Sequence, residues 1–171
     1  RELIRPGHWR RALGRPVRFV RGEPPHPFSV SFEGGLLIAD TGVKSSTAEI
    51  VSAVGRFRDE DPARFAAILE RARACVATLE HALAHGDGAA AGRAMDEDQQ
   101  LLAMIGASAP ALERLIGAAR TAGALGAKLT GAGGGGNMIA LVGPDALGSV
   151  RDALERAGAT SVLELPLGGA T

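Results

Sequence analysis

KLTGAGGGGNMIALV, residues 128–142, is the stretch on which the fold turns. Five of the six residues Gly131–Gly136 are glycine, and the apolar run Met138–Val142 follows at once. Glycine accepts positive φ and lets another backbone or an anion come close. A run of exposed N–H groups can also form an anion-binding nest. A flexible linker is the plain alternative, but linkers join domains. Here the run joins Ala127–Thr130 to Asn137–Val142, two segments that read as adjacent core strands. The order of residues excludes a Walker A loop, in which the lysine follows the glycines, because Lys128 precedes them. Gly131, Gly133 and Gly136 match the bare dinucleotide spacing, yet that pattern opens a helix and this one opens a strand. A tight turn that backbone or phosphate can approach remains.

Outward from the turn, elements alternate. Leu36–Ala39 reads as a buried strand after Gly34-Gly35, and Asp40-Thr41-Gly42 ends it. Ser46 with Glu49 fits a capping box, and Ile50, Val51 and Val54 supply a helix face. Lys44, Ser45, Ser46 and Thr47 therefore stand at a helix N-terminus beyond a strand. Pro62 opens a long helix with an apolar stripe of Phe65, Ile68, Leu69, Ala72, Val76, Leu79 and Leu83. Cys75 lies beside that stripe and reads as a small core residue. A second helix carries Ala91, Ala94, Met95, Leu101, Leu102 and Ile105, with Asp98 on or near its apolar side. Pro110 starts a third, with Leu112, Leu115, Ile116 and Ala119. Gly143-Pro144-Asp145 starts a last helix with Leu147, Val150 and Leu154, and Ser161–Leu165 reads as a final strand. Pro16–Val20 reads as a short strand and residues 22–28 as a turn-rich break. The succession predicts an α+β domain, a ferredoxin-like antiparallel sheet with helices packed on one face.

Composition narrows the function. The chain has 171 residues, enough for one domain with a sizeable core. Nineteen Lys and Arg balance nineteen Asp and Glu, so no bulk electrostatic case exists for nucleic acid or membrane. One cysteine excludes an intrachain disulfide and a cysteine-based metal site, and it fits a reducing, cytoplasmic setting. Four histidines show no metal-ligand spacing. The charge is uneven, however: residues 1–33 carry seven Arg against three Glu, and no Asp precedes Asp40.

KLTGAGGGG resembles the third, C-terminal motif of the GHMP kinases, the superfamily of galactokinase, homoserine kinase, mevalonate kinase and phosphomevalonate kinase. Within it, LLIADTGVKSSTAEIV (36–51), MDEDQQLLAMIGASAPALERLI (95–116) and AGALGAKLTGAGGGG (122–136) are similar to the mevalonate kinase family. RPVRFVRGEPP (15–25) resembles the strand that crosses from the family's N-terminal domain. The resemblance implies two regions: residues 1–33, an arm and crossing strand left from the N-terminal domain, and residues 34–171, the C-terminal domain. It implies phosphoryl transfer from ATP, with Mg2+, to a small alcohol, in the best case mevalonate. Thr130, Gly131, Ala132, Gly133, Gly134, Gly135 and Gly136 would support the nucleotide phosphates. Thr47, with Lys44 and Ser45, would lie on the substrate side; Ser45 stands where the family often has Arg. Asp98 stands where the family commonly has Asn.

The family's Pro-x-x-x-Gly-Leu-Gly-Ser-Ser phosphate loop does not occur in the sequence, nor does its catalytic-Asp segment ahead of Arg15, where RELIRPGHWRRAL stands. No residue of this chain is therefore assigned as catalytic and none as a metal ligand. The expectation is the C-terminal part of such a kinase, inactive alone, with the missing N-terminal domain as its partner and a homodimer left open. Two alternatives stand beside it: a stand-alone α+β module that binds a metabolite or a partner without catalysis, and a GHMP kinase for phosphomevalonate, homoserine or a sugar.

Overall fold

The computed structural model describes residues 16–20 and 22–167. Residues 1–15, where the arginine-rich arm falls, lie outside the described residues. The elements, in order, are β1 (Val17–Arg18), β2 (His26–Pro27), β3 (Gly34–Asp40), α1 (Thr47–Glu60), α2 (Pro62–Ala84) and α3 (Gly88–Met104). They continue with α4 (Pro110–Thr121), β4 (Gly126–Leu129), β5 (Asn137–Val142), a single 3-10 turn (Pro144–Ala146), α5 (Leu147–Arg156) and β6 (Ser161–Leu167).

β3 to β6 form one antiparallel sheet in the order β4-β5-β3-β6. β3 runs between β5, with Leu37 opposite Ala140, and β6, with Leu37 opposite Glu164. The two strands of the β4–glycine turn–β5 hairpin pair Gly126 with Leu141 and Leu129 with Met138. This β-α-β-β-α-β order is the ferredoxin-like sheet expected from the sequence.

Strand periodicity sorts the side chains. Leu37, Ala39, Leu129, Met138, Ala140 and Val142 point to one face, where α4 supplies Leu112, Leu115, Ile116 and Ala119 and α5 supplies Val150 and Leu154. None of these is more than 2% exposed, so the two helices and this face make a closed core. The other face is partly covered. Leu36, Ile139 and Leu141 meet Leu79 and Leu83 of α2, Met95 of α3, and Phe28, Val30 and Phe32 of the incoming chain. Backbone bonds from Ser31 and Phe32 N–H to the Leu83 carbonyl tie that chain to the end of α2. Leu163 on β6, on the same face, is 64% exposed.

The helix starts follow local chemistry. Ser46 accepts a bond from Glu49 N–H, Asp61 from Arg64 N–H and Asp87 from Ala90 N–H, satisfying first-turn donors that the helix itself cannot. Pro62 and Pro110 occupy first-turn positions, where no N–H is needed.

Three expectations need correction. The strand Pro16–Val20 contracts to Val17–Arg18, and the segment read as a break supplies its partner His26–Pro27. α1 buries none of its residues, and Val51 is 63% exposed, because no element of the described chain covers that side. On α2 the stripe is rotated: Leu69 and Val76 are exposed while Cys75 is buried. The side that meets α3 and the α1 end runs through Ile68, Ala72 and Cys75, with Leu101 opposite. Cys75 is thus a core residue as read from the sequence. Burial first, then the carboxylates of Glu97 and Asp98, push its thiol above the ordinary value, which makes it a poor nucleophile.

Candidate functional site

The glycine turn is a docking piece. Gly133 sits at φ +89 with its Cα against the Ala107 carbonyl, so any Cβ there would overlap that oxygen. Gly134 N–H donates to the same carbonyl at 2.9 Å. On the other side, a Cβ at Gly135 would lie 2.5 Å from the Val43 carbonyl. Gly136 N–H donates to that carbonyl at 2.9 Å, and Thr41 N–H donates to the Gly136 carbonyl at 2.9 Å. Ser45 Oγ donates to the Gly133 carbonyl at 2.7 Å. The turn is therefore held between the loop after β3 (residues 41–46) and the loop between α3 and α4. The glycines are there because backbone approaches them from both sides. Among the described residues, no hydrogen bond engages the N–H of Gly131, Ala132, Gly133 or Gly135.

Beside the turn lies an open cavity of about 400 Å³ lined by Asp40, Gly42, Val43, Lys44, Ser45 and Gly136. The structure thus brings Lys44 and Ser45 together with the end of the glycine run, although they are some ninety positions apart in the chain. It does not bring in all the others. Thr47 is the exposed first residue of α1, and Thr130 is exposed before the turn, its N–H donating to the Asn137 carbonyl at 3.0 Å. Neither lines the cavity. Among the described residues, no group of three or more His, Cys, Asp or Glu converges to hold a metal ion.

The acidic run Asp96–Asp98 does structural work on β4. Lys128 Nζ pairs with Asp98 at 2.9 Å, both about one-fifth exposed, which explains an acid near the apolar side of α3 and removes Lys128 as a free cation. β4 is an edge strand, and its outward N–H groups need partners. Asp96 accepts from Ala127 N–H at 2.9 Å and from Arg120 Nε at 2.7 Å. Gln99 Oε1 accepts from Leu129 N–H at 2.8 Å. Replacing Asp96 by Ala leaves the fully buried Ala127 N–H without an acceptor and Arg120 without its anion. A loss of about 2 kcal/mol is expected, read as a lower urea midpoint at unchanged slope.

Sequence reasoning missed Gln99. It is 2% exposed and is one of only two buried polar or charged residues, with Thr41, among the described residues. The signal was present: Ala91, Met95, Gln99 and Leu102 fall at steps of four, four and three, so Gln99 occupies a core position of α3.

Comparison with known proteins now defines the class. The sequence profile described as "GHMP kinases C terminal" matches residues 79–160. With the ferredoxin-like sheet and the glycine turn in place, the chain belongs to the GHMP kinase superfamily and carries its C-terminal domain. Its curated relatives are more particular. It is 39% identical over 129 residues to the mevalonate kinase of Aeropyrum pernix, covering 75% of this chain and 40% of that protein. It is 37% identical over 161 residues to the mevalonate kinase of Thermococcus gammatolerans, covering 89% of this chain and 46% of that protein. Among solved structures, L. major mevalonate kinase in complex with R-mevalonate superposes with a TM-score of 0.81 at 27% identity, over 91% of this chain and 49% of that one. The chain spans less than half the length of these curated relatives.

Proposed function

We propose that this chain is the C-terminal part of an ATP-dependent kinase that phosphorylates mevalonate to 5-phosphomevalonate in the cytoplasm, and that it is inactive alone. The observation that supports this best is the glycine turn locked against the loop that carries Lys44 and Ser45. Phosphoryl transfer depends on alignment and charge stabilisation more than on covalent help from the protein. A rigid turn with unengaged N–H groups and almost no side chains can come close to a phosphate, and Lys44 adds a cation at the cavity rim. The residues present thus fit a supporting part of an ATP site. ATP supplies the transferred phosphoryl group; Thr130–Gly136 would bound its phosphates, and Lys44 and Ser45 would face the alcohol side, with Thr47 behind them at the start of α1. Ser45 acts there through the backbone, since its hydroxyl is given to Gly133. The reading keeps residues 1–33 as an arm and crossing strand of the N-terminal domain and residues 34–171 as the C-terminal domain. It places the principal phosphate loop, the catalytic Asp and the Mg2+ ligands on that N-terminal domain.

A coupled ADP-release assay with mevalonate and MgATP tests both halves of this reading. The chain alone is expected to release ADP at the enzyme-free background. Joined to the N-terminal half of a mevalonate kinase, it is expected to turn over with mevalonate and not with homoserine or galactose. Robust turnover by the chain alone would refute its dependence on another domain. A joined protein that prefers homoserine, galactose or phosphomevalonate would refute the substrate.

A further inference from the structure

We propose that Gln99 is a positioning residue that sets the glycine turn from both of its sides. The turn has a stem, which leaves β4 at Leu129, and a far side, where Gly134 N–H is held by the Ala107 carbonyl at 2.9 Å. Gln99 holds each. Its Oε1 accepts from Leu129 N–H at 2.8 Å. Its Nε2 donates to Glu113 Oε1 at 2.8 Å and to Ser108 Oγ at 3.1 Å, and Ser108 Oγ donates to the same carboxylate oxygen at 2.5 Å. Ser108 follows Ala107 directly, so the α3–α4 loop that cups the turn is tied through Gln99 to the strand from which the turn springs.

The chemistry requires an amide here. Leu129 N–H can only donate and the Glu113 carboxylate can only accept, so one side chain must offer an acceptor and a donor in a single plane. That pair of demands fixes which way the amide faces. The Gln99 amide and the Leu129 N–H are buried, and leaving either unmet there is costly, so the amide has one low-energy orientation. Its consequence for function rests on the kinase reading above: the turn that would meet the nucleotide keeps its position because Gln99 fixes the distance between its two supports.

Amide hydrogen exchange followed by NMR on this chain, without nucleotide, tests the clamp separately from that reading. Gln99→Leu removes both arms, and the amides of Leu129 and Gly134 are each expected to lose protection at least tenfold while the β3 amides keep theirs. Gln99→Glu, made together with Ser108→Ala so that no hydroxyl can donate to the new carboxylate, keeps the acceptor for Leu129 N–H and loses the donor. Its second oxygen repels Glu113, which is exposed and can swing away. Gly134 is then expected to lose protection tenfold and Leu129 to keep it. If Gln99→Glu does not fold, the double variant Ser108→Ala/Glu113→Ala removes both loop-side partners of the Gln99 amide and is expected to show the same split. A residue that merely fills space gives no such split. Equal loss at both amides in the one-armed variants, no loss at either, or a uniform rise across the sheet would overturn the proposal.

Discussion

Gly133→Ala is expected to cost about 3–4 kcal/mol and to lower the melting temperature by roughly 6–15 °C in a chain of this size. Two penalties add. A Cβ-bearing residue at φ +89 is strained by about 1–2 kcal/mol. The new methyl also overlaps the Ala107 carbonyl, which is backbone and cannot rotate away, so the α3–α4 loop must move and Gly134 N–H loses its acceptor. Gly131→Ala separates the two. Its φ is +93, almost the same, but a Cβ there meets nothing within 4 Å. Only the conformational part remains, about 1–2 kcal/mol. Thermal unfolding of the two variants side by side is the measurement. Equal losses would show that the turn needs glycine for its φ alone, and the close docking of the turn would no longer explain the run.

The contrast between those two glycines marks how far the sequence could be read. The run itself, its place between two strands, and the failure of the Walker and dinucleotide patterns were legible, because each depends on local order. The core faces of α4 and α5 were legible as well, since Leu112, Leu115, Ile116, Ala119, Val150 and Leu154 repeat at helical spacing and all are fully buried. α2 was misread at Leu69 and Val76. It is long and rich in alanine, so several stripes are nearly equivalent in the sequence, and the choice belongs to α3, which packs against the Cys75 side. The partners of the turn were beyond reach for another reason. Ala107 and Val43 act through carbonyl oxygens, which no side-chain pattern announces. Lys44 and Ser45 were singled out by resemblance and by their place after a strand. The cavity they share with Gly136 arises from the register in which β3 pairs with β5, setting Asp40 opposite Asn137. That register brings the end of one strand to the start of the other and so places two loops side by side.

The register of α3 against β4 matters in the same way, and a second glycine controls it. Gly92 lies in mid-helix, where alanine is ordinarily better by about 1 kcal/mol. Gly92→Ala is expected to do the reverse and destabilise by about 3 kcal/mol. At this point α3 touches the strand: a Cβ would overlap the Leu125 carbonyl and come within 2.9 Å of Gly126 N, while Gly126 in turn has no room for a side chain against Gly92. Both neighbours are backbone of a paired strand, so the helix has to yield. An outward shift of α3 stretches the bonds from Ala127 and Leu129 N–H to Asp96 and Gln99, and an unmet buried donor costs about 1–3 kcal/mol. Gly117→Ala on α4 is the control, because nothing lies within 4 Å of a Cβ there. It is expected to stabilise by up to about 1 kcal/mol. Opposite signs for one substitution in two helices, read from urea midpoints, identify close helix–strand contact as the cause. A neutral or stabilising Gly92→Ala would mean that α3 can stand further from β4, and the Gln99 clamp, which needs that closeness, would lose its footing.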